Sequence, residues 1–320
     1  MAQDVNTDFN RNFISGIIVT TLFLLAHVFI PFLGIFISVL TPLPILFYYQ
    51  KLGRFPGILI AVIASIIAIY FLKLFETPFR VFLIVEFGIV GLTLSEMLRR
   101  ELSIEKTISY SVPVVLGAGV ILASLYGAIN FVNPWALVVQ EINEKANQTI
   151  MLYRELGMPT EEVELFKAYS RNLANFLIRS FPSLAVVGTV VVIWMNLLIA
   201  KKLYRMRKLK FPDFGDLSEW EAPDILVWGV IIGGLLLVFG VLALKSVGLN
   251  ILIISLCFFF FQGLAIVSYF FQRKQIPVIL RGVGYLLIGV QQVFLFIVIG
   301  LGLFDIWADF RRLKKERVSR

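Results

Sequence analysis

The sequence predicts an all-α fold: a polytopic bundle of transmembrane helices with an exterior amphipathic helical hairpin. Three observations predict it. Of 320 residues, 59% are hydrophobic and only 16% charged, against about 25% charged in ordinary soluble domains. The mean hydropathy is +0.88, more apolar surface than a soluble globule can hide. Nine segments approach the span requirement, about 20 mostly apolar residues for roughly 30 Å of hydrocarbon. This composition argues against a disordered chain, a secreted disulfide scaffold and a nucleic-acid-binding domain.

The nine segments run near 13–30, 32–49, 55–72, 78–98, 108–130, 181–200, 224–244, 249–271 and 277–304. Residues 1–12 precede the first. They hold Asp4 and Asp8 against Arg11, and no small-x-small cleavage site follows, so they read as a cytoplasmic tail rather than a signal peptide. The second segment carries Pro31, Gly34, Pro42 and Pro44. Proline removes a backbone donor, so this segment reads as kinked, or as broken and lining a cavity. In the first case a continuous helix bends; in the second, irregular backbone at membrane depth is tolerated because protein or water satisfies it.

Residues 131–179 are the one long polar insertion. Asn133-Pro134 reads as an N-cap with proline at the first helical position. Ile142, Ala146, Ile150, Tyr153 and Leu156 recur at helical spacing, and Gly157 ends the run. Thr160 caps a second helix with Glu161, Glu162 and Glu164 in its first turn. Val163, Phe166, Ser170, Leu173 and Leu177 form its less polar stripe. The pair is a hairpin lying on, or capping, the membrane part.

Net charge is +8, from 29 Lys plus Arg and 21 Asp plus Glu. The basic residues sit in short runs beside apolar segments, as in Lys201–Lys208. They anchor and orient the chain in an anionic leaflet, so the partner is a lipid bilayer and not nucleic acid. With the N-terminus inside, the cytoplasmic loops are 50–54, 99–107, 201–223 (six basic residues in 201–210) and 272–276. The opposite loops 73–77 and 245–248 carry one lysine each, and the hairpin lies outside. Three crossings after residue 223 then place the basic tail 305–320 outside, against the same rule. The side of that tail stays open at this stage. The localisation implied is a cell membrane.

Small residues allow close helix approach in lipid. Gly57, Ala61 and Ser65 fall at i, i+4, i+8, as do Gly119, Ala123 and Gly127; Gly229 and Gly233 make a further pair. The two rows of three are packing faces, within the chain or toward another membrane subunit. Polar groups inside the spans are few. Glu86 lies near the middle of the fourth segment, Gln262 is central in the eighth, and Gln291 and Gln292 are near the centre of the ninth. A carboxylate at that depth is costly unless paired or protonated. It reads either as a packing residue or as a contact for substrate or ion; these four residues form the candidate substrate-binding set. His27, the single histidine, lies near the outer end of the first segment and reads as interfacial. Arg281 can snorkel to the inner interface.

Catalytic signatures are missing. One histidine and one cysteine cannot build a His- or Cys-rich metal site from this chain alone. Neither His-Glu-x-x-His, Gly-x-Ser-x-Gly nor a Walker A motif is present. The expectation is no enzyme, no cofactor and no metal. Cys257 sits in an apolar run and reads as packing.

Two stretches carry a resemblance. One comprises Ile30-Pro31-Phe32-Leu33-Gly34, Thr41-Pro42-Leu43-Pro44-Ile45-Leu46 and Lys51-Leu52-Gly53-Arg54-Phe55-Pro56-Gly57; the other is Gly302-Leu303-Phe304-Asp305-Ile306-Trp307-Ala308-Asp309-Phe310-Arg311. They resemble the YybS-like bacterial membrane proteins, a family defined as a domain of unknown function, DUF2232. The N-terminal pattern is also similar, more distantly, to the S components of energy-coupling-factor transporters and to the rod-shape protein MreD. The S-component resemblance implies a six-helix core over 13–200, followed by the basic loop 201–223 and three further segments in 224–304. It implies a substrate-binding, transport-type protein that takes a small molecule from outside and works with a separate membrane partner. The first helix lacks the alanine x-x-x-alanine face that S components present to that partner. The MreD resemblance implies the alternative, a non-transporting scaffold for cell-envelope proteins.

Overall fold

The structure is a computed structural model that describes residues 2–29, 34, 37, 39–73 and 78–311. Among the described residues it is all-helical, with eleven α-helices, one 3₁₀ turn and no strand. The break expected at Pro31 lies outside the described residues, as do residues 74–77, the tail beyond Arg311 and the side chain of His27. The chain divides into two compact units, Met1–Val138 with Gly188–Asp213, and Val139–Val187 with Phe214–Arg320.

The first unit holds α1 (Ala2–Phe29), α2 (Pro42–Leu52), α3 (Arg54–Lys73), α4 (Pro78–Arg99) and α5 (Ile104–Asn130). It also holds the start of α6 (Pro134–Glu155) and the later part of α7 (Thr160–Met206). Proline is tolerated in a helix's first turn, and Pro42 opens α2 there. Gly53 ends α2 at φ 97°, with its N–H on the Tyr49 carbonyl, and α3 starts at the next residue. Such a tight reversal favours glycine. A Cβ on Gly57 would run into the Tyr49 backbone, and one on Gly91 would meet Ile45. The core between these helices is Leu24, Ala64, Ala68, Leu72 and Ile84. Tyr204 of α7 donates from its hydroxyl to the Leu46 carbonyl at 2.7 Å, and Asn196 donates to the Val39 carbonyl at 2.6 Å.

The hairpin forms at the expected residues. The Asn133 side chain accepts from the Trp135 N–H at 2.8 Å, with Pro134 first in α6. Within the second unit, Tyr153 stacks on Phe166 with centroids 3.9 Å apart, and Gly157 turns the chain at φ 74°. The second arm does not stop at 179. It continues through Pro182 as the 47-residue helix α7, about 70 Å long at 1.5 Å per residue, more than twice the hydrocarbon thickness. One device accompanies the proline. The Asn250 carboxamide accepts from the Ser183 N–H at 2.8 Å and donates to the Arg179 carbonyl at 2.8 Å. An unbroken helix pairs these two groups with each other. Asn250→Leu removes both bonds and is expected to destabilise by about 1–3 kcal/mol, read as a lower Tm in detergent.

The second unit continues with the 3₁₀ turn Leu217–Glu219, α8 (Leu226–Phe239), α9 (Leu242–Arg273), α10 (Val278–Val290) and α11 (Gln292–Ala308). Helices α8 and α9 are antiparallel: Gly229 lies against Ser255, while Gly233 lies against Gly248 and Leu252. Among the described residues, six helices are long and apolar enough to cross a membrane. Three of the nine sequence segments took other forms. Segment 32–49 holds the short α2, and segment 224–244 holds the 14-residue α8. Segment 277–304 is a pair bent by 100° at Gln291, which makes a seventh span if counted as one. The expected loop at 245–248 is helical: the chain turns at Gly240–Val241, and Gly248 instead lets α8 approach. Glycine there serves contact rather than a turn, a distinction that sequence alone does not carry.

Candidate functional site

The sequence proposed two rows of small residues and four intramembrane polar groups. The first row is packed inside the chain. Gly57 lies against Tyr49, Ala61 is buried, and the Ser65 hydroxyl faces Gly88 of α4. In the second row, Gly127 closes on Val132 and Pro134 at the end of α5, Ala123 is half-buried, and Gly119 faces Glu86. A Cβ at Gly119 would lie 4.0 Å from Glu86 Oε1, so the carboxylate sits at the α4–α5 contact, half-buried. It has no hydrogen-bond or ion partner among the described residues.

Gln262 is differently placed. It lies in the second unit, in the later part of α9, about 30 Å from Leu242 and about 17 Å from Arg273 at 1.5 Å per residue. Its side chain is buried. Its Nε2 donates to Asp305 Oδ2 at 3.1 Å, and its Oε1 accepts from the Ala222 N–H at 3.2 Å. Asp305, on the last turns of α11, also accepts from Arg311 Nη2 at 2.7 Å, and its Oδ1 accepts from the Phe310 N–H at 2.9 Å. Arg311 Nη1 donates to the carbonyls of Ser218 at 2.8 Å and Trp220 at 3.0 Å. The ion pair is sealed, with side chains 0% and 4% exposed. Buried charges persist when they are paired and their remaining hydrogen-bonding groups satisfied; here only Arg311 Nε lacks a partner.

Two features bring these groups together. Gly263 and Gly302 lie at the α9–α11 crossing, each so close to the other helix's backbone that a Cβ has no room (Gly263 on the Val298 carbonyl, Gly302 on the Phe259 carbonyl). Asp309 then ends α11 in the left-handed region at φ 42°, with its N–H on the Asp305 carbonyl. That reversal brings Arg311 back onto Asp305 and the 3₁₀ turn.

Beside the cluster is a cleft of about 300 Å³, lined by Glu221–Asp224 on one wall and by Gln262, Asp305 and Ile306 on the other. The first wall is irregular backbone, residues 220–223, held against α9 at Gln262. In a membrane protein, non-helical backbone needs partners for its polar groups; here Gln262 answers the Ala222 N–H, and Arg311 the Ser218 and Trp220 carbonyls. Asp224 is exposed at the rim.

Gln291 and Gln292 do not join this cluster. Both are exposed at the bend between α10 and α11, where the Gln291 carbonyl accepts the Phe294 N–H at 3.1 Å. Glu86 belongs to the first unit. Sequence reading missed Asp305 and Arg311, which it placed in the tail. Their six-residue separation is not a helical neighbour spacing, and the remaining signal is that both fall in the Gly302–Arg311 stretch quoted for the family resemblance. Among the described residues, no group of three or more His, Cys, Asp or Glu is placed to hold a metal ion.

Comparison with known families matches residues 18–306, most of the chain, to the family described as "Predicted membrane protein (DUF2232)". Comparisons with curated proteins and with solved structures gave no match. With its apolar helices and a match over that length, the chain is a multi-pass membrane protein that belongs to the DUF2232 family.

Proposed function

We propose that the protein binds a small molecule as a substrate-binding or transport-type membrane protein, with Asp224, Glu221 and Gln262 at the ligand site. One observation carries this reading: irregular polar backbone and buried polar side chains surround a cleft at Gln262, about 17 Å along the spanning helix from its Arg273 end, close to half the roughly 30 Å hydrocarbon thickness. Transport proteins place their sites near the membrane midplane, where interrupted segments supply polar groups. The reading assigns no catalysis to the chain. It takes the bacterial cell membrane as the location, with the N-terminus in the cytoplasm.

The test is native mass spectrometry of gently extracted protein, followed by thermal shifts with any retained molecule. A retained small molecule that raises Tm supports the reading. Asp224→Asn is expected to reduce that shift at least tenfold in apparent affinity while leaving the unliganded Tm unchanged, because Asp224 is exposed. Glu86→Gln is expected to leave the shift intact. If Glu86→Gln alone abolishes it, the site belongs to the first unit. If no molecule is retained and no solute shifts Tm, the scaffold reading replaces this one. A specific feature favours that second reading: Leu165, Tyr169, Leu173 and Phe176 form an exposed apolar stripe on the early part of α7, between 46% and 74% exposed.

A further inference from the structure

The tail's side is undecided by the sequence, and the second unit bears on it through three contacts. First, α8 and α9 form an antiparallel hairpin, Gly229 by Ser255 and Gly233 by Gly248. Such a hairpin returns the chain, at Arg273, to the side from which residues 214–223 enter. Second, α10 and α11 are not one straight helix: they bend by 100° at Gln291, a geometry that a broken span or a re-entrant loop takes. Third, the end of the described chain is tied back to the entry loop. Arg311 donates to the Ser218 and Trp220 carbonyls, and Asp305 holds both Arg311 and the Phe310 N–H.

We infer that α10 and α11 form a re-entrant element that enters and leaves on one side, so that the chain leaves Arg311 on the same side of the membrane as the basic loop 201–223. The charge pattern agrees independently. Residues 312–320 carry five basic residues and one acidic, and 201–210 carry six basic residues. Lys/Arg-rich segments flanking spans stay on one side, the cytoplasmic one. Three crossings after residue 223 would send the five tail cations across; a hairpin followed by a re-entrant pair does not. This removes the conflict that the sequence alone leaves. The inference is independent of any ligand.

The experiment uses the full-length protein with Cys257→Ser, in oriented membrane vesicles and with a membrane-impermeant thiol reagent. Lys210→Cys marks the loop and Ser319→Cys the tail; Val318→Cys is a second tail position should Ser319→Cys express poorly. Labelling of the tail and loop positions from the same face, at comparable rates, is the expected result. Labelling of the tail position only from the face opposite Lys210→Cys overturns the inference. So does a tail position that is protected from both faces yet reactive in detergent.

Discussion

Replacing Arg311 with leucine is expected to destabilise the protein by about 3–5 kcal/mol, the cost of stranding one partner of a buried ion pair. Asp305 would keep a charge at 4% side-chain exposure with only Gln262 and the Phe310 N–H to answer it. The Ser218 and Trp220 carbonyls would lose their donor as well. A double-mutant cycle separates pair energy from bulk. Because replacing both charges by apolar groups removes the stranded carboxylate, Asp305→Leu with Arg311→Leu should be less destabilised than Arg311→Leu alone. Unfolding in detergent monitored by Trp fluorescence measures all four states. Strict additivity of the two single effects would show that the clasp contributes nothing as a pair. Lysine at 311 is not an adequate replacement: guanidinium serves a carboxylate and two carbonyls at once through a fixed planar fork, and an ammonium does not.

The second large effect belongs to the α9–α11 crossing. Gly302→Ala places a methyl group where the Phe259 carbonyl already sits, and Gly263→Ala does the same against Val298. In both cases the obstacle is backbone, so the helices must separate. Overpacking of this kind costs about 1–3 kcal/mol, and valine at either position should cost more. Gly300 supplies the control on the same helix: nothing lies within 4 Å of its Cβ position. Gly300→Ala should be neutral or slightly stabilising, since alanine is the better helix former. Equal Tm values for Gly300→Ala and Gly302→Ala would show that the crossing is looser than this geometry. Because Gln262 precedes Gly263 and Asp305 follows Gly302 by three residues, separation should also weaken any ligand bound in the cleft.

Legibility divided along physical lines. Helix starts were readable where a short-range rule operates. Asn133 before Pro134 caps α6 as its sequence suggests, because the capping oxygen and its N–H are two residues apart. Stripes at i, i+4, i+8 are visible in the sequence, but what they meet is not: Gly57 lies against Tyr49 and the Ser65 hydroxyl against Gly88. Helix ends were less readable. Gly240 stops α8 and Gly248 does not stop α9, although both are glycines between apolar runs. What differs is the neighbour: Gly248 receives α8, and helix pairing in lipid favours small residues at such contacts. The second arm of the hairpin passed into a span for a related reason. Pro182 falls inside α7, and the Asn250 amide, far along the chain, serves the backbone groups beside it.

The polar cluster shows the limit most directly. Gln262 was legible as costly, since an amide at mid-span needs partners, but its partners were not. It reaches Asp305 across 43 residues, and Arg311 reaches Ser218 across 93. No local period reports such pairings; they follow from one glycine crossing and one left-handed residue at Asp309. By itself, then, the sequence determined the helical membrane class and the capped start of the hairpin, because those depend on hydrophobicity and on bonds within a turn or two. Only the tertiary structure decided which glycines pack and which turn the chain, where the bent pair folds, and which buried charges meet. Those outcomes rest on contacts between residues that only packing brings together.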